Sequence, residues 1–280
     1  MATFYNQATL SYNGTTTSSN VTVGELLSSL GITKSAISTS YGADDGVSYI
    51  ISIVNSTASP ITGLTLTDDL GAYDVGGTTV YPLTYTVGSL KAYVGGSAVT
   101  PPTVTATEPL TLSGISIPQN EALILVYEAM TNVYTPLATG STLTNTATVS
   151  GTLGEASASA SVTADNTTEL TIAKAICPAT VTAGESVNYT FIIQNSGNTA
   201  SDDTVTVSDV FTPALTGISV TLNGAPLPAT SYTYNEATGE FATLPGAITV
   251  PAAEYSQDPT TGIVSTTPGV IVITVTGTIA

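Results

Sequence analysis

The sequence predicts an all-β chain of two sandwich modules. Short runs alternate apolar and polar residues, as in Tyr49-Ile-Ile-Ser-Ile-Val-Asn-Ser56, and Gly and Pro separate one run from the next. That is the pattern of half-buried strands and turns, not of helices. The 280 residues suit two ordinary domains, each long enough to bury a core, and a long segment occurs twice. Only Gly24 to Leu30 has helix-like spacing, and it is too short to matter. At 42% hydrophobic residues the chain is too apolar to be disordered.

Charge narrows the function classes. The basic residues are Lys34, Lys91 and Lys174, with no Arg and no His, against 20 acidic residues and a net charge of -17. Nucleic acid and anionic membrane need Lys or Arg to neutralise phosphate, so neither is an expected partner. Without His the commonest acid–base group and metal ligand is missing. A single Cys, Cys177, excludes an internal disulfide framework and a cysteine zinc site. Met1 to Gly14 has neither the basic nor the apolar region of a signal peptide. No run reaches membrane-spanning length, so no membrane insertion is expected. The expectation is a chain placed outside a cell by an unusual route, or one whose signal has been trimmed.

The internal repeat sets the organisation. Tyr49–Ser56 matches Tyr189–Ser196 at an offset of 140, and Leu64–Asp68 matches Val205–Asp209 at 141. ITKSA around Lys34 matches IAKAI around Lys174 at 140, and GISIP from Gly114 resembles GAITVP from Gly246. The two copies are out of phase with the chain. Copy one runs past Leu123–Met130 into Leu143–Val149, whereas copy two reaches Val270–Ala280, the counterpart of Leu123–Met130. The strand it lacks has its match at the other end: Asn6–Ser11 aligns with Asn145–Ser150 at an offset of 139, identical at Asn, Ala, Thr and Ser.

Twenty-eight residues separate Asn145 from Lys174, and 27 separate Asn6 from Lys34. Equal junctions are expected to bridge equal geometry. The strand carrying Phe4, Asn6, Ala8, Leu10 and Tyr12 should then enter a module preceding module one, which means module two of another chain. An added strand would satisfy an open sheet edge with main-chain hydrogen bonds. Such a heterologous contact generates an open filament unless its rotation closes a ring. The alternatives are a closed exchange dimer, or Phe4 to Tyr12 folding back onto its own module two. The expected organisation is a donor strand and linker over 1–24, module one over 25–150, and module two over 151–280 without its final strand.

Polar residues interrupt the apolar faces. Residues i, i+2 and i+4 of a strand share a face, so Lys174 lies among Leu170, Ile172 and Ile176, and Lys34 between Ile32 and Ala36. Asp68 falls with Leu64, Leu66 and Leu70, and Asp209 with Val205, Val207 and Phe211. Asn145 falls with Leu143, Ala147 and Val149, and Asn6 with Phe4, Ala8 and Leu10. A lone inward Lys or Asp costs several kcal/mol unless paired. One explanation is a structural Lys–Asp ion pair hydrogen-bonded to Asn. The other is chemical: desolvation lowers a Lys pKa and raises an Asp pKa, and a neutral amine could attack the Asn side chain while the acid assists and ammonia leaves.

This arrangement resembles the self-generated isopeptide crosslinks of Gram-positive pilin and adhesin domains: Lys early, acid in the middle, Asn on the final strand. Lys34, Asp68 and Asn145 match that order within module one. Lys174 and Asp209 match it in module two if Asn6 comes from another chain. The stretches TKSA/AKAI, YIISIVNS/YTFIIQNS, LTLTDDL/VTVSDVF and TNTATVSG also resemble the Thr-rich bacterial surface repeats called domain of unknown function eleven. That resemblance implies an immunoglobulin-like sandwich and a structural role at a cell or spore surface. Short two-module members resemble spore-appendage proteins of anaerobic spore-formers. The phase of the repeat departs from a self-contained domain.

The expected function is a structural filament subunit whose partner is itself, with no cofactor. The alternative is a surface adhesin or ligand-binding stalk presenting loops such as Pro251 to Thr267. An enzyme acting on an external substrate lacks any nucleophile–base or metal constellation. Lys91 reads as a solvated hairpin residue and Cys177 as an idle thiol one position off the inward face. Asp44-Asp45-Gly46 and Asp202-Asp203 read as acidic turns or weak calcium candidates. The Asn13, Asn20, Asn55, Asn166 and Asn188 sequons matter only in a eukaryotic secretory route.

Overall fold

The computed structural model describes residues 2–26 and 29–280, with backbone alone at 2–4 and 24–26. The side chain of Phe4, and part of the Gly24 to Leu30 stretch, therefore lie outside the described residues.

Four strands come first: β1 (Ala2–Asn6), β2 (Thr9–Tyr12), β3 (Thr15–Ser18) and β4 (Thr22–Leu26). β1 pairs with β4 and β2 with β3, forming one two-armed ribbon. It folds at Asn13-Gly14, with φ of 48° and 75°, the left-handed pair a two-residue hairpin turn requires. Residues 13 to 24 differ from the linker that the sequence predicts. They form the second arm instead, rich in Thr and Val that favour extended backbone. Every described side chain of the ribbon is exposed, among them Tyr5, Leu10, Tyr12, Val21 and Val23.

Module one follows with β5 (Leu30–Ala36), β6 (Ser40–Tyr41), β7 (Gly46–Asn55), β8 (Ile61–Asp68), β9 (Tyr73–Val75), β10 (Thr78–Val80) and β11 (Leu83–Tyr85). It continues with β12 (Lys91–Val94), β13 (Ser97–Val99), β14 (Thr103–Thr107), β15 (Leu110–Ile117), β16 (Ala122–Thr131), β17 (Thr142–Gly151) and β18 (Gly154–Ala164). One sheet runs β13-β12-β16-β7-β5, with β11 also on β16; the other runs β14-β15-β8-β17-β18-β6. Burial alternates as the sequence pattern requires: Val47, Tyr49, Ile51 and Ile53 on β7, and Leu123, Leu125, Tyr127 and Ala129 on β16. β17 turns Leu143, Asn145, Ala147 and Val149 inward.

Module two contains β19 (Leu170–Cys177), β20 (Ser186–Asn195), β21 (Ser208–Val210), β22 (Leu215–Leu222), β23 (Ala225–Pro226), β24 (Tyr232–Tyr234), β25 (Glu240–Thr243), β26 (Glu254–Gln257), β27 (Val264–Thr267) and β28 (Gly269–Ile279). Its larger sheet, β19-β20-β28-β22-β23, repeats the β5-β7-β16 order of module one; its second sheet is β21-β25-β24. Val187, Phe191, Phe211, Phe241 and Ile273 pack between them. The fold is all-β and immunoglobulin-like.

The modules differ at one edge. β8 lies between β15 and β17, whereas its counterpart β21 pairs with β25 alone among the described residues. The consequence reaches β19, which is exposed throughout: Leu170 is 39% exposed, against 4% for its counterpart Leu30 on β5. By contacts the chain divides into residues 1–135 with 143–162, and 136–142 with 163–280.

Leu66 on β8 is fully buried and Leu10 is exposed. Leu66→Ala should therefore cost about 2–5 kcal/mol of unfolding free energy. Leu10→Ala should stay within about 0.5 kcal/mol in unassembled protein. Denaturant unfolding of both variants checks the pair, and equal losses would contradict it.

Candidate functional site

In module one β5 supplies Lys34, β8 supplies Asp68 and β17 supplies Asn145, all buried between the sheets. The Lys34 and Asp68 side chains have no exposed surface. Lys34 Nζ donates to Asp68 Oδ2 at 2.6 Å. Tyr127 Oη, from β16, donates to the same oxygen at 2.7 Å. The phenol oxygen in turn accepts Asn145 Nδ2–H at 3.0 Å. Asp68 Oδ1 accepts the Leu70 backbone N–H at 3.1 Å. Two buried atoms here have no hydrogen-bond partner among the described residues, Asn145 Oδ1 and Tyr49 Oη.

Aromatic faces line the cation. Lys34 Nζ sits 4.8 Å from the Tyr49 ring centroid and 5.9 Å from that of Tyr127, and the two rings stack at 5.5 Å. Burial pulls the Lys34 amine below its ordinary pKa of 10.5, and the Asp68 charge opposes that shift. Burial pushes the Tyr127 phenol well up, with the charge of Asp68 adding to it. Burial raises Tyr49 too, while the Asn145 amide pulls the other way.

Module two holds the same pair without its cover. Lys174 Nζ is bonded to Asp209 Oδ2, but the side chains are 40% and 19% exposed. Lys174 Nζ lies 4.6 Å from the Tyr189 ring, 5.4 Å from Phe211 and 5.6 Å from Phe191. The inward face expected for Lys174, Ile172 and Ile176 is thus an open face: beyond Asp209, β21 carries no further strand among the described residues. A groove of 470 Å³ runs along Ser208, Asp209, Val210 and Phe241. Asn6 is exposed on the ribbon, its carbonyl accepting Thr22 Oγ1–H at 3.1 Å.

The structure therefore brings Lys34, Asp68 and Asn145 into one hydrogen-bonded chain, and pairs Lys174 with Asp209. Sequence reasoning missed Tyr127 and Tyr49. Both fall on inward positions of their strands, but a tyrosine on an apolar face is ordinary core, so nothing singled them out. Tyr127 stands opposite Tyr49 across β16 and β7, and Val275 stands opposite Tyr189 across β28 and β20. Module two thus has a valine where module one has the bridging phenol.

The weaker candidates have local roles. Asp45 Oδ2 accepts Gly42 N–H at 2.7 Å, and Asp202 Oδ1 accepts Thr204 N–H at 2.9 Å, so both cap their own turns. Among the described residues no group of three or more His, Cys, Asp or Glu side chains could hold a metal, and no helix is long and apolar enough to cross a membrane. Lys91 and Cys177 are exposed.

Fold and site define an immunoglobulin-like β-protein with a Lys–Asp pair bridging the two sheets of each module. No family model matches the sequence, and no curated protein is similar to it in sequence. Among solved structures, the chain is similar to one described as BspA_C_mut, with 13% identity over 89% of this chain and 90% of that one and a TM-score of 0.38. It is similar to BcpA, the major pilin subunit of Bacillus cereus, at 12% identity over 86% and 65% with a TM-score of 0.36. The pilus backbone RrgB of Streptococcus pneumoniae matches at 13% identity over 85% and 55%, with a TM-score of 0.32.

One pair buried and one open predicts unequal costs. Asp68→Ala leaves Lys34 as an uncompensated buried amine and should cost about 3–5 kcal/mol. Asp209→Ala in unassembled protein should cost no more than about 1 kcal/mol, since water screens an exposed pair. Equal denaturation midpoints for the two variants would contradict this.

Proposed function

We propose that this chain is the structural subunit of an extracellular filament, in which the N-terminal strand of one copy completes module two of the next. The observation that carries the reading is the free edge of β21 beside an open Lys174–Asp209 pair. In module one the corresponding edge is covered by β17, and β17 has its sequence counterpart in residues 3–12, on an exposed ribbon. On β8 the register sets Ala147 opposite Asp68, Thr148 opposite Thr67 and Val149 opposite Leu66. Carried over, Ala8 would lie opposite Asp209 of the next copy, Thr9 opposite Ser208 and Leu10 opposite Val207. Insertion would bury the exposed Leu10 and satisfy a row of main-chain groups. Asn6 would then take the place of Asn145 beside Lys174.

The same reading includes chemistry on the chain itself. In module one Lys34 and Asn145 would join as an isopeptide with loss of ammonia, tying β5 to β17. In module two Lys174 would join Asn6 of the incoming copy, turning a non-covalent joint into an amide. We read the protein as having no external substrate and no cofactor, and as residing on a bacterial cell or spore surface.

Deleting Met1 to Asn13 should abolish polymerisation while leaving a chain that caps existing filament ends. Negative-stain microscopy reads this directly. Filaments as abundant as those of the full chain would refute strand exchange. Discrete full-length particles would favour a surface adhesin or stalk instead.

Boiling assembled protein in detergent should give a ladder of multimers that Asn6→Ala collapses, although filaments still form because the main-chain hydrogen bonds survive. A wild-type filament that boils to monomers, with or without reductant, removes the covalent joint and leaves strand exchange standing.

A further inference from the structure

We propose that Tyr127 is a catalytic residue of the module-one crosslink, completing a proton relay from the attacking amine of Lys34 to the departing amide nitrogen of Asn145. The proposal rests on the crosslinking reading above and assigns a role that neither the repeat nor the Lys–Asp–Asn pattern contains. Its basis is an unbroken chain of contacts. Lys34 Nζ reaches Asp68 Oδ2 at 2.6 Å, Tyr127 Oη reaches that oxygen at 2.7 Å, and Asn145 Nδ2 reaches Tyr127 Oη at 3.0 Å. Nucleophile and leaving group thus stand at the two ends of one hydrogen-bonded line, closed to water because every link is buried.

The step balances with these groups alone. Lys34 first gives one proton to Asp68, producing a neutral amine and a neutral acid, a direction favoured by the burial that lowers the amine's pKa. The amine forms the Nζ–Cγ bond with Asn145, and charge develops on Oδ1, which has no partner in the resting site. With Asp68 protonated, the Tyr127 hydroxyl, which donates to Oδ2 in the resting site, turns toward the pyramidal nitrogen, and Asp68 passes its proton to the phenol oxygen as the phenol's own proton moves to Nδ2. The Cγ–Nδ2 bond breaks, ammonia leaves, and the new amide nitrogen returns a proton to Asp68. The products are an amide, ammonia, an intact phenol and a protonated Asp68, so no charge remains buried. An amide nitrogen is a poor leaving group until protonated, and the phenol, which accepts Nδ2–H in the resting site, stands within reach to donate once that nitrogen turns pyramidal. In module two the corresponding position is Val275, so the joint between copies has Asp209 without the phenol.

The test uses the full chain recovered unfolded, refolded by dilution, quenched at intervals and weighed intact. Wild-type monomer should lose one ammonia. Tyr127→Phe keeps the ring but should slow that loss at least about a hundredfold, the usual scale of a general acid's contribution. Tyr85→Phe removes a hydroxyl from a ring packed 6.2 Å from Tyr127 but outside the relay, and should react at the wild-type rate. Equal rates for Tyr127→Phe and wild type overturn the relay and leave the crosslink standing. A second measurement needs no variant: the wild-type loss should be slower in heavy water, and equal rates in water and heavy water overturn the relay even if Tyr127→Phe fails to fold. A folded wild-type monomer that keeps its full sequence mass removes the crosslink reading, and the relay with it.

Discussion

A β-sheet edge beside an apolar core must be covered, and the rest of this structure depends on how each module meets that requirement. Unpaired N–H and C=O groups next to exposed hydrophobic side chains are costly in water and invite another strand. Module one closes the edge of β8 with β17, and β17 in turn with β18. Covering that edge sinks Asp68, Asn145 and Lys34 into a dry interior. Module two keeps the same larger sheet and much the same core, yet β21 has one paired edge among the described residues. Its lysine, Ile172 and Ile176 then face water.

The two Lys–Asp pairs show what a single strand does to one interaction. The contact between ammonium and carboxylate is present in both modules, against aromatic rings in both. In module one desolvation dominates and drives Lys34 toward its neutral form. In module two solvent reaches the pair, and an exposed ion pair has little to gain or lose. The covering strand therefore brings an Asn and also sets the dielectric in which a Lys can be an amine rather than an ammonium.

Much of this was legible in the sequence, for a physical reason. Strand periodicity is local, so alternation along Tyr49–Asn55 or Leu143–Val149 already says which side chains face inward, and the structure buries Lys34, Asp68 and Asn145 accordingly. Repeat offsets are equally local, and they matched the strand ending at Tyr12 with the one ending at Gly151. Where the structure differs from that local pattern, long-range pairing decides. Residues 13 to 24 looked like a linker, but opposite the first arm they complete a ribbon.

The sequence by itself determined the all-β class, the two copies of one module and the inward placement of polar residues in module one. These follow from residue type and a period of two. Only the tertiary structure decided that Tyr127 joins Asp68 to Asn145, that Val275 replaces it in module two, and that the Lys174–Asp209 pair lies open. Those facts depend on which strands become neighbours across the sandwich, and a one-dimensional pattern shows a side chain's face without showing what meets it there.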